Sequence, residues 1–195
     1  MDILHSDKDI AVCIKPVGMD SEHEVPAALQ EALGGEFFPV HRLDKNVGGV
    51  MVYARNSKAA ASLSRAIQEG TMVKEYVAMV HGTPPECGDW TDLLFKDSSK
   101  NKVFVVKKER RGVKKARLEF KRLSEGEKSL VHIRLYTGRS HQIRVQFASR
   151  GFPLVGDGKY GAKDNVSAPM LFSCRLTFPI SGKVRVYEAM PDWAG

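Results

Sequence analysis

Apolar residues along this chain follow two rhythms, and each rhythm predicts a kind of element. Unbroken apolar runs at 10–14 (IAVCI) and 50–54 (VMVYA) read as buried strands, the second entered through Gly48 and Gly49. Residues 72–80 alternate imperfectly and read as a strand, with Lys74 and Tyr76 two apart and so on one face. The alternation at 130–136 is clean. Leu130, His132, Arg134 and Tyr136 fall on one side and Val131, Ile133 and Leu135 on the other, as in a half-buried antiparallel strand. Residues 170–178 and 183–187 form a C-terminal hairpin around Ser181-Gly182.

The helical rhythm recurs at 25–33, stopped by Gly34-Gly35, and at 58–68. In the second helix Ala59, Ala60, Leu63, Ala66 and Ile67 make one stripe. Asn56 or Ser57 can cap its start and Gly70 its end. A third helix is predicted at 141–150, capped by Ser140 and closed by Gly151. On a wheel at about 100° per residue from Ile143, Phe147 falls near ~40°, Arg144 near ~100° and Ala148 near ~140°. Arg144 therefore sits inside the apolar arc, where an arginine is rarely buried unless paired. Either it snorkels out or a partner lies inside. Asp44 is the expected partner, with another acid or a carbonyl as the alternative.

Many short strands and few helices predict an α+β fold: a mixed, mostly antiparallel sheet with flanking helices. At 195 residues the chain is expected to form a single domain over 1–195, or a pair of interleaved halves. Apolar runs are too short to cross a membrane. The early acidic residues exclude a secretory signal peptide, and no further RNA-binding domain is expected ahead of Ile3. Cys13, Cys87 and Cys174 are odd in number and widely spaced, so neither a disulfide framework nor a zinc site is indicated. A cytoplasmic, monomeric protein is expected.

Charge sharpens this picture. Residues 96–122 hold twelve Lys or Arg against three acids, a local +9, which leaves −2 for the remainder of a chain whose net charge is +7. Charge this concentrated argues for a polyanionic partner such as RNA. The strand-like pieces VFVV (103–106) and ARLEF (116–120), about a turn at 110–112, are expected to form a basic hairpin that grips phosphates.

The residues that carry chemistry lie in short polar stretches. Asp44 occupies a turn-like segment, HRLDKNVGG, just before the 50–54 strand, with Arg42 two residues away. Lys15-Pro16, Lys74-Glu75-Tyr76, GRSHQIR (138–144) and GDGKYG (156–161) complete the series. In that order and spacing, from about Ile3 to Glu188, the chain closely resembles the RluA-type pseudouridine synthases. The glycines of 156–161 lack the GK[ST] of a phosphate loop, and Asp157 and Tyr160 are read as fixing the turn.

The resemblance implies the pseudouridine synthase fold, an RNA substrate (rRNA or tRNA), and no cofactor or metal. It implies cleavage of the N1–C1′ bond of a uridine, rotation of the uracil and rejoining at C5. Asp44 would be the catalytic carboxylate, with Arg144 and Arg42 keeping it ionised. Arg42 would also fill the space left by the flipped-out uridine. Tyr76 would lie beside the base and assist loss of the C5 proton. Ile143, His41, Lys74 and Lys15 would complete the substrate side of the site. The family's Thr-Ser after HRLD is Val47-Gly48 here, so a hydroxyl that orders the Asp loop is missing. Two other readings compete. One is a non-catalytic RNA-binding module on the same fold. The other is a metal-dependent hydrolase using His41, Asp44, His132 or His141, which the scattered histidine spacing disfavours.

Overall fold

A computed structural model describes residues 1–194. The chain divides into two compact units, Met1–Glu75 with Phe172–Trp193, and Tyr76–Leu171 with Ala194. The first unit is thus built from both ends of the sequence and the second from its middle.

In the first unit the elements run β1 (Asp2–Ser6), β2 (Ile10–Lys15), α1 (Glu24–Leu33), β3 (Phe38–Pro39), β4 (Gly48–Ala54), α2 (Ser57–Gln68) and the start of β5 (Val73–His81). The chain returns as β10 (Leu171–Ile180) and β11 (Lys183–Glu188). Strand order is β1-β2-β4-β10, with β11 on β10 and β3 on β4. β4 is buried along its whole length, as its continuous apolar run predicted. It pairs antiparallel with β2, from Ile10↔Ala54 to Lys15↔Gly49, and parallel with β10 at Phe172↔Gly48. α2 lays Ala59, Leu63 and Ala66 over Val50, Val52, Leu176 and Phe178. Asn56 caps it, accepting the Ala59 N–H at 2.8 Å. Burying Leu63 alone is worth roughly 2 kcal/mol.

Two glycines carry a close approach here. A Cβ on Gly49, which has φ +127°, would collide with the backbone of Ser173. A Cβ on Gly48 would lie 3.2 Å from the Lys15 carbonyl.

The second unit holds the rest of β5, β6 (Cys87–Asp97), β7 (Lys102–Val106), β8 (Val113–Arg122), β9 (Lys128–Leu135) and α3 (Gln142–Ala148). Strand order is β5-β9-β8-β6-β7. This corrects the expected basic hairpin: the 103–106 and 116–120 pieces do not pair. β6 lies between them, antiparallel to both. The polar sequence of β6 hides its strand rhythm, because Asp92 is one of its inward-facing residues along with Leu94. Asp92 is held there by Gln146 (2.7 Å) and by Arg150 through two bonds (2.8 and 3.1 Å). α3 packs Val145 on Leu94, Val103 and Ala116.

The start of α3 also differs from expectation. Ser140 does not cap it. His141 stands at the N-cap in the left-handed region, φ 50°, with no side-chain cap. Order comes instead from Gln142, whose Oε1 accepts the Arg139 N–H (3.1 Å) and the Thr137 hydroxyl (2.8 Å), while its Nε2 donates to the Arg117 carbonyl (3.0 Å). Among the described residues no helix is long and apolar enough to cross a membrane.

Candidate active site

In the first unit, the loop bearing Asp44 is held by its main chain. Asp44 is half-buried at the head of a turn in which its carbonyl accepts the Val47 N–H at 2.9 Å. The carbonyls on either side are both gripped. The Ser21 hydroxyl donates to Leu43 O at 3.0 Å. Lys45 O accepts from the Lys15 ammonium at 3.0 Å and from the Gly18 N–H at 2.8 Å.

Lys15 is wholly buried, and its ammonium also donates to Pro16 O (2.9 Å) and Met19 O (2.7 Å). Three carbonyls thus use all three of its N–H bonds. Burial pulls its pKa down to about 8, opposed by the charges of Asp20 and Asp44. Lys15 therefore braces the Asp44 loop from its buried side. Ser21, 1% exposed, was not legible as part of this support, since an isolated serine in a loop carries no periodic signal.

His41 accepts the Val52 N–H of β4 at its Nε2 (3.2 Å), so the neutral ring carries its proton on Nδ1, which is sealed from solvent without a partner. Burial, and secondarily the Lys74 charge, push its pKa down to about 3. Lys74 is itself lowered by burial. The two form a desolvated pair in this unit. Arg42 lies at the surface, 2.9 Å from Glu22.

In the second unit the anchor is a side chain. Arg144 is 7% exposed and Asp157 1%, and they meet in a bidentate pair, Nε–Oδ2 2.7 Å and Nη2–Oδ1 2.8 Å. The wheel placed Arg144 within the apolar arc, and there it is buried and paired. Its partner within this unit is Asp157, the acid read in the sequence as a turn former. Two parallel bonds fix the plane of the guanidinium.

Tyr160 stands beside this pair. Its ring centroid is 5.2 Å from the Arg144 guanidinium carbon. Its hydroxyl accepts the Val103 N–H (2.9 Å) and lies 2.8 Å from His141 Nδ1. One phenol therefore links β7, the N-cap of α3 and the loop after it. Tyr76 and Ile143 are both buried in this unit.

A model of the RNA pseudouridylate synthase family matches residues 9–149, taking in every motif up to the end of α3. The chain belongs to that family. RNA pseudouridylate synthases are isomerases, and the relatives agree with this membership. An RNA pseudouridine synthase of Aquifex aeolicus is 35% identical over 96% of this chain and 68% of its own length. The mitochondrial tRNA pseudouridine(32) synthase of Saccharomyces cerevisiae is 32% identical over 81% of the chain and 35% of its own length. The ribosomal large subunit pseudouridine synthase D of Borreliella burgdorferi is 36% identical over 64% of the chain and 38% of its own length. The chain thus spans little more than a third of the last two. Among solved structures, human RNA pseudouridylate synthase domain containing 1 has the same fold, with a TM-score of 0.85 at 23% identity over 97% of this chain and 83% of that one.

Proposed function

We propose that this pseudouridine synthase acts on a uridine in ribosomal or transfer RNA, with Asp44 as the carboxylate that engages the nucleotide. The observation that carries the assignment is the clamp on the Asp44 loop, in which the carbonyls of residues 43 and 45 are both held on either side of a half-buried Asp44. Placement of this kind is what a carboxylate needs, since it is already ionised near neutral pH and requires no base to activate it.

The N1–C1′ bond of the uridine breaks, the uracil turns, and C5 bonds to C1′. The C5 proton then leaves and N1 gains one. In this reading Tyr76 assists loss of the C5 proton, and Ile143 packs against the base. Arg144, its plane set by Asp157, supplies fixed positive charge to the site. Arg42 leaves Glu22 and enters the space of the flipped-out uridine, at a flipping cost of a few kcal/mol that phosphate contacts offset. No step in this scheme uses a metal.

The test is tritium release from RNA labelled at uracil C5, run with EDTA and with Asp44→Ala beside the wild type. Wild-type release should persist, and the variant should lose at least about a thousandfold in rate. Equal release by the two proteins would sink the role of Asp44. No release from any RNA, despite salt-sensitive binding, would leave a binding module on the same fold.

A further inference from the structure

The three strands β6, β7 and β8 have two faces of different character. One packs on α3 through Leu94, Val103 and Ala116. Side chains alternate along a strand, so Leu93, Phe95, Phe104, Val106 and Val113 lie on the other. Phe95 and Phe104 stand directly opposite one another on adjacent antiparallel strands. None of these five is fully buried, and the Phe104 ring belongs to a residue 37% exposed. Arg110 sets its guanidinium 4.5 Å from the centroid of the Phe95 ring, and the Lys102 ammonium is 5.9 Å from that of Phe104.

Charge follows the same face. Several cations of this region are neutralised: Arg117 by Asp89 and Glu119, Arg122 by Glu125, and Lys100 by Asp97 at 3.8 Å. All three lie away from the 107–111 turn. Lys107, Lys108, Arg111 and Lys115 are exposed at or beside that turn. Among the described residues, no carboxylate pairs with any of these four.

One exposed ring and one ring capped by a guanidinium, flanked by unneutralised cations, suit an unpaired nucleic acid strand, with bases stacked on the ring and the guanidinium plane and phosphates against the charges. A surface that only gripped duplex phosphates would need the cations and not the rings. We infer that the outer face of β6–β8 is a binding platform for single-stranded RNA. Phe104 and the Arg110–Phe95 pair seat successive bases, and Lys107, Arg111 and Lys115 hold their phosphates. The inference rests on the proposed function only for the identity of the polyanion.

The experiment is fluorescence anisotropy with dye-labelled oligouridine and, in parallel, a fully paired RNA duplex, at one fixed salt concentration. Wild type should prefer the single strand. Phe104→Ala should weaken oligouridine binding by about tenfold, with little change for the duplex. Phe104→Trp should keep the affinity, and Phe104→Leu should behave like the alanine variant. Arg110→Ala, which alters a surface side chain, should also lose oligouridine affinity if Phe104→Ala proves too unstable to assay. In the tritium assay Phe104→Ala should raise KM and leave kcat in place.

Equal losses for duplex and single strand, a leucine as good as phenylalanine, or no loss in any variant would overturn the platform. An intact single-strand preference in a protein that releases no tritium would instead sink the isomerase reading and leave the platform standing.

Discussion

Around Asp44 the structure grips the main chain. Around Arg144 it grips the side chain. The Asp44 loop is held through carbonyls, by a buried ammonium, a serine hydroxyl and a glycine N–H. Arg144 is held by a two-pronged carboxylate and flanked by an aromatic ring. The difference matches what each residue is proposed to do. A carboxylate that must meet a nucleotide gains from a rigid backbone that fixes where it stands. An arginine that supplies charge gains from having the plane of its head group set. The first arrangement is also silent in sequence, because any residue has a carbonyl. The second demands a particular partner.

The comparison can be broken most forcefully at Asp157. Asp157→Ala leaves a buried guanidinium with a lost counter-charge, at a cost of about 3–5 kcal/mol. A chain of this size then melts about 10 °C lower or more. A thermal melt that barely moved would show that Arg144 is held by something else.

Lys15→Met comes next. It strips the ammonium from three carbonyls while keeping the volume, at an expected cost of about 2–3 kcal/mol. Tritium release should fall further than stability explains, because the Lys45 carbonyl next to Asp44 then keeps only the Gly18 N–H. If kcat stays at the wild-type level, the clamp is not what places Asp44.

His41 gives the Asp44 loop an acid sensitivity. Its pKa is about 3 when folded, against an ordinary 6.5 when unfolded. As pH falls below 6.5 the unfolded chain takes up the proton first, so stability drops progressively toward pH 3. The drop is of order 1.4 kcal/mol per pH unit, or about 2 kcal/mol between pH 6.5 and 5. His41→Gln keeps an acceptor for the Val52 N–H and takes up no proton. Urea denaturation at several pH values should give this variant a flatter acid limb, and parallel curves would refute the assignment.

Ser21→Ala is the mildest probe. Losing one hydroxyl donor to Leu43 O should cost about 1 kcal/mol in denaturant titrations. The effect on tritium release should be correspondingly smaller than that of Lys15→Met.

Much of the fold was readable because apolar rhythm maps directly onto burial. The 10–14 and 50–54 runs lie within β2 and β4, and the stripe of α2 packs as its spacing required, with Asn56 as its cap. Two kinds of feature escaped. β1 is mostly exposed, so no alternation marks it. β6 carries an inward aspartate whose partners, Gln146 and Arg150, lie more than fifty residues away, so its core face looks polar in sequence.

The same split holds among the candidate site residues. A helical wheel could find Arg144 buried, because position on a wheel is local. It could not find Asp157, which reaches Arg144 from a glycine-rich turn thirteen residues on. Nor could it find the support that Lys15 and Ser21 give from behind, because hydrogen bonds to carbonyls leave no compositional trace.

The division of the chain into an outer pair of segments and an inner one has a consequence for synthesis. The middle segment, Tyr76–Leu171, is complete as soon as it emerges from the ribosome. The first unit is not. β4 leaves the tunnel early, yet its parallel neighbour β10 lies more than a hundred residues downstream, at Phe172↔Gly48. At roughly 5–20 residues per second, that edge stays without its partner for several seconds or longer. A nascent chain of this kind carries the Gly48–Gly49 edge of β4 unpaired for most of its own translation, and the last stretch to be made is the one that covers it.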